Sequence, residues 1–176
     1  MEKSSLKAFG ALVFPVVLVL LWFSPAGAGD GDVLKWIAMP GIIQTNNVVG
    51  SGSGEVLGGG QPWTTLGGGA QVNLGTGRGQ FQVRGLVFAG GNSIGTPGAV
   101  TQVKGTLVCD TDGSAGGGNS VLVDTPLVPL DARGDAFFNG MVDLDSVCFS
   151  EGDITVLIRT GSGRWIANGA VLLNQE

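Results

Sequence analysis

Chemistry in this 176-residue sequence has to come from a short set of side chains: two cysteines, Cys109 and Cys148, a scatter of carboxylates, and the tryptophans. Histidine and tyrosine are absent. Without imidazole there is no Ser-His-Asp or Cys-His nucleophile, and no zinc or copper site built on histidine. Past residue 28 the lysines are Lys35 and Lys104, and neither has a serine three positions before it, so no Ser-Lys pair has the usual spacing. Carboxylates alone remain, and paired carboxylates are what glycoside hydrolases use. Asp143 and Asp145, at alternate positions of MVDLDSV, would share one side of a regular strand, although solvated carboxylates are the commoner case.

The stretch CDTDGSAGGGN, Cys109 to Asn119, can be read in two ways. Asp110 and Asp112 are spaced like the first two oxygen ligands of a calcium loop, with Asn119 as a further donor. An EF-hand would place its glycine sixth from the first aspartate and a glutamate twelfth; here Gly113 is fourth and Val121 twelfth. The same residues suit a wide hairpin loop, because Asp, Gly, Ser and Asn tolerate positive φ and bond their own backbone. We read a turn, with calcium on Asp110, Asp112 and Asn119 as the alternative. Trp63, in GGGQPWTTLGGG, is a candidate stacking surface for a sugar ring or a partner protein if it is exposed, and a core residue if it folds back. Trp165 alternates with Ala167 and Val171 and reads as core. GSGSG and GTGRG lack the Lys-Ser/Thr ending and the strand-to-helix context of phosphate-binding loops.

These residues must be positioned outside the cytoplasm. The sequence opens with Lys3 and Lys7, continues through a 16-residue apolar run from Ala8 to Phe23, and reaches Ala26-Gly27-Ala28. That is the order of a secretory signal with an A-x-A cleavage site, and the run is shorter than the ~20 residues of a membrane-spanning helix. Cleavage after Ala28 leaves 148 residues, a length that suits one domain, and no stable membrane insertion. The remaining net charge of −6 argues against nucleic acid and anionic membrane surfaces as partners. In an oxidising compartment Cys109 and Cys148 read as a disulfide. From Asp110 to Asp153 there are nine carboxylates and one basic residue, Arg133, so one end or face of the fold carries a negative field.

Helical periodicity is hard to find past the signal, and alternation with period two recurs. Phe81 with Val83 and Val87, Val103 with Leu107 and Cys109, and Ile154 with Val156 and Ile158 each fall on one side of a half-buried strand. Further strands are expected over residues 33–37, 41–49, 71–74, 121–130 and 136–144. Residues 50–79 carry glycine at 12 of 30 positions and read as edge strands and loops. Many short strands punctuated by Gly and Pro predict an all-β antiparallel sandwich, in a Greek-key or immunoglobulin-like arrangement, preceded by the signal helix of residues 1–28. Residues 29–79 would form its Gly-rich beginning and residues 80–176 its core, with Cys109 reaching Cys148 across it.

GTLVCDTDG, SVLVDTPLVPLDARGDAFFNG and RWIANGAVLL, in that order, resemble a group of small exported bacterial proteins with no assigned activity. The resemblance spans residues 80–173. It implies an exported bacterial β domain and assigns a role to no residue. The sequence therefore reads as an exported, non-catalytic module with a structural or protein-interaction role and no cofactor. A carbohydrate- or calcium-binding module is the alternative, and a carboxylate-dependent glycan hydrolase the third reading. The expected partner is an extracytoplasmic protein or glycan.

Overall fold

The computed structural model describes residues 33–115, 117–149 and 153–175; the expected signal, residues 1–28, lies outside them. Along these residues the chain runs through β1 (Val33–Ala38), β2 (Val48–Val49), β3 (Val56–Leu57), β4 (Trp63–Thr64), β5 (Gly67–Asn73), β6 (Arg78–Arg84) and β7 (Val87–Phe88). It continues through β8 (Gln102–Cys109), β9 (Val121–Asp124), β10 (Val128–Pro129), β11 (Ala136–Met141), β12 (Ile154–Thr160), β13 (Trp165–Asn168) and β14 (Ala170–Gln175). Two short 3-10 turns, Gly52–Gly54 and Ser146–Phe149, are the helical elements among the described residues. No helix among them is long and apolar enough to cross a membrane.

The fold is all-β. One antiparallel sheet has the order β11-β6-β5-β1-β14; a second runs β10-β8-β12-β13, with β9 also paired to β8. β2 pairs with β3 and β4 with β7. Alternation explains the strands that matter most: β6 buries Gly79, Phe81 and Val83 and exposes Arg78, Gln80, Gln82 and Arg84. Trp36 and Phe81 of the first sheet meet Leu107 and Val156 of the second around a void of about 20 Å³, room for one water at most. The chain changes sheets at Gly169, the one residue between β13 and β14. A Cβ there would lie 2.4 Å from Cδ1 of Trp36 and 2.5 Å from Cγ1 of Val156, so only glycine fits the crossing.

Several expected elements differ. The strand expected over residues 41–49 shrinks to Val48–Val49, because the preceding residues bond β13 instead: the Ile42 N–H donates to the Ile166 carbonyl, and Trp165 Nε1 donates to the Asn47 carbonyl. The strand over 121–130 splits into β9 and β10 around Thr125-Pro126-Leu127, where the Thr125 N–H and hydroxyl bind back to Gly105. Val87 leaves the face of Phe81 and Val83, since Gly85, at φ 60°, ends β6. Residues 67–73, expected at an edge, form β5, the middle strand of the first sheet. Glycine is a poor strand former in isolation, but here it admits the backbone of both neighbours: a Cβ on Gly68 would lie 2.5 Å from the Gln82 carbonyl.

Cys109 and Cys148 form a disulfide with Cα atoms 5.0 Å apart, both side chains buried. The bridge does not run from sheet to sheet. Cys148 sits in the 3-10 turn Ser146–Phe149, so the bond ties that turn to the end of β8.

Candidate functional site

Asp110 follows Cys109 directly, is buried, and adopts φ 58°, a left-handed conformation that Asp tolerates better than most residues. Its carbonyl accepts the Gly113 N–H (3.1 Å) and the Ser120 hydroxyl (2.7 Å), which closes the loop on itself. Asp112 is exposed; its Oδ1 accepts the Ser114 N–H at 2.9 Å. That bond first, then the Ser114 hydroxyl and the Asp110 side chain, hold the Asp112 carboxyl below the usual carboxylate range. Asn119 faces elsewhere, accepting the Ser53 N–H on its Oδ1 at 2.9 Å. Ser51 and Ser120 bond reciprocally, Ser51 N–H to the Ser120 hydroxyl (2.8 Å) and Ser120 N–H to the Ser51 carbonyl (3.0 Å). A Cβ on Gly54 would lie 2.0 Å from the Ser120 carbonyl, so the two glycine-rich stretches meet backbone to backbone. The loop brings Asp110 and Asp112 together and uses the oxygen of Asn119 to carry the Gly52–Gly54 turn. Among the described residues no group of three or more Cys, Asp or Glu is placed to hold a metal ion.

Trp63 is 3% exposed, its ring 4.1 Å from that of Phe88, the neighbour that β4–β7 pairing supplies. It offers no open indole face. It nevertheless forms part of the floor of a surface cleft of about 500 Å³ between three loops that are distant in sequence. Gln61 comes from the loop before β4, Ser93 and Gly98 from the loop after β7, and Ser162 and Arg164 from the turn between β12 and β13. Arg164 Nη1 donates to the Gly58 carbonyl at 3.1 Å. It has no carboxylate partner among the described residues, and the Gln61 amide makes no hydrogen bond among them. The Thr160 and Ser162 hydroxyls bond each other at 2.9 Å. Sequence reasoning found Trp63 here but not its companions, because TGSGR and the loop after β7 read simply as turns.

The outer face of the first sheet carries a second feature. Phe137 on the edge strand β11 and Ile37 on β1, 58% and 57% exposed, flank a groove of about 240 Å³ along Gly69, where a side chain is missing. Gln71, Gln80 and Gln82 line it and make no side-chain hydrogen bonds among the described residues. Met141 lies further along β11, and Leu173 is paired with Lys35 of β1; both are exposed.

Asp145 and Asp124 serve the fold. β11 ends at Met141, so Asp143 and Asp145 share no strand; Asp145 Oδ1 instead accepts the Val147 N–H at 2.9 Å, opening the 3-10 turn that holds Cys148. Asp124 on β9 bonds Lys104 and the buried Thr106 hydroxyl of β8, and lies 3.2 Å from Arg159 Nη1 of β12. Burial is the largest influence on Asp124 and pushes its carboxyl up; the bonds from Lys104 and Thr106 and the charges of Lys104 and Arg159 together outweigh it and hold the carboxyl low.

Compared with protein-family models, with curated proteins and with solved structures, the chain matches none.

Proposed function

We propose that the chain is an exported, non-catalytic β-sandwich module with a structural or protein-interaction role, its two five-stranded sheets packed face to face. β14 returning beside β1 supports a Greek-key closure of the first sheet. The disulfide suits an oxidising compartment and so supports export. The interaction role rests on one observation: Phe137 and Ile37 stand exposed on either side of the groove over Gly69, beside the free edge strand β11. Exposed apolar groups that flank a lane of unbonded amides offer a partner both buried area and backbone or side-chain hydrogen bonds. A photo-crosslinker at position 137, in cells producing the full chain, should trap a second copy or one discrete partner. The double change Phe137→Ser, Ile37→Ser should abolish trapping from a crosslinker at neighbouring Asn139, with stability altered by about 0.5 kcal/mol or less, as surface substitutions do. Trapping unchanged by the double change would remove this face from the proposal.

Glycan binding is the second reading, favoured by the loop cleft in which Trp63, Phe88 and Gln61 meet. Apolar ring surface beside amide and hydroxyl groups is the mixture that recognises sugars.

A further inference from the structure

Resting on that second reading, we infer that the loop cleft takes an acidic glycan, with the ring carboxylate of a uronic acid seated on Arg164. Charge singles out the ligand. The chain is acidic, at net −5, yet no carboxylate lines this cleft, and Arg164 is the one charged side chain in its lining. Its anchor is a neutral carbonyl, that of Gly58, which fixes one Nη and neutralises nothing. A guanidinium has five donors in a planar fork that matches a carboxylate bidentately. Held by one nitrogen and uncompensated by any acid among the described residues, Arg164 keeps both charge and donors for a ligand.

The rest of the lining selects a sugar over a bare anion. Gln61 presents an unbonded amide, which can donate and accept together, as vicinal hydroxyls require. Ser162 lies exposed on the turn that carries Arg164, its hydroxyl already paired with that of Thr160 and able to accept a further bond. Phe88, half-buried on Trp63, supplies apolar surface for the C–H face of a ring. A volume of about 500 Å³ lies within the ~300–1,000 Å³ of small-ligand sites, enough for one or two sugar rings.

The test is calorimetric titration of the protein, expressed from the full chain, with tetragalacturonate, its fully methyl-esterified form, cellotetraose, and an N-acetylated tetrapeptide with a free carboxyl terminus. Tetragalacturonate should bind at least ten-fold more tightly than its ester, and more weakly as salt rises. Arg164→Gln should lose at least ten-fold for tetragalacturonate, and Arg164→Lys should fall between the two. Ser162→Trp, at an exposed turn position, should block the cleft and still melt cooperatively despite losing its hydroxyl bond to Thr160, a second route to lost binding that leaves Arg164 in place. Equal binding of tetragalacturonate, ester and cellotetraose, all lost in Ser162→Trp, would keep the glycan reading and overturn the acidic one. Binding of the peptide alone, binding indifferent to Ser162→Trp, or no binding by any of the four would overturn both.

Discussion

At the scale of single residues, the aspartates divide by what surrounds them. Asp124 is a stability element. Its carboxyl is held below its ordinary value, so its contribution is fully present above the unfolded pKa near ~3.9 and is lost as pH falls through the lower folded one. Asp124→Asn should cost about 1 kcal/mol at pH 7, a modest figure because the side chain is 37% exposed and screened by solvent. The difference from the parent should vanish under strongly acidic conditions; denaturant melts at several pH values measure it, and a constant gap would mean that the ion pairs contribute nothing. Asp110 and Asp112 pose the calcium question. With the Asn119 oxygen bonded to Ser53, we expect the melting temperature to stay constant from chelator to millimolar calcium. A saturable rise, lost in Asp110→Asn with Asp112→Asn, would make the loop a calcium site by mass action.

At the scale of elements, the loops are organised by close backbone approach and by one covalent bond. The Asp110 loop, the Gly52–Gly54 turn and the end of β8 form one unit, and the disulfide adds the turn Ser146–Phe149 to it. Closing a separation of 39 residues stabilises the fold by about 4 kcal/mol in the chain-entropy account. Denaturant melts with and without reductant, or of Cys109→Ser with Cys148→Ser, should differ by that amount; a loss below about 1 kcal/mol would mean that the turn is held by its packing alone. The alternation that marks β6 was legible because that strand buries one face against the other sheet. β8 and β12, expected to keep one wet face, bury both faces over Gly105 to Cys109 and Val156 to Ile158, because loops and turns cover their outer side chains. The central place of β5 was not legible. Its glycines carry no pattern, and their use is to admit neighbouring backbones, which appears only once β1 and β6 are beside it.

At the scale of the whole molecule, two surfaces stand apart in chemistry. The outer face of the β11-β6-β5-β1-β14 sheet joins exposed apolar side chains to a row of amides, and the loop cleft joins an arginine to aromatic and hydroxyl groups. Neither is contiguous in the sequence: the first draws on residues 35–37, 69–71, 80–82 and 137, the second on residues 59–63, 88–99 and 160–166. Trp63 shows why one-dimensional reading stopped short. Its flexible-looking neighbourhood left both an exposed and a folded-back ring open; pairing of β4 with β7 brings Phe88 onto that ring, and the cleft beside it is lined by the loops around the pair.

The sequence by itself determined what is set by composition and by period. Lack of histidine removed whole classes of catalysis, alternation made the elements strands, and an even pair of cysteines pointed to the bond that is present. Tertiary structure alone decided which strands are central, where the chain crosses between sheets, which carboxylates are paired and which arginine lines a cleft with no acid beside it. The physical reason is that alternation reports burial against an unspecified neighbour, whereas register, close approach and charge compensation depend on which neighbour it is.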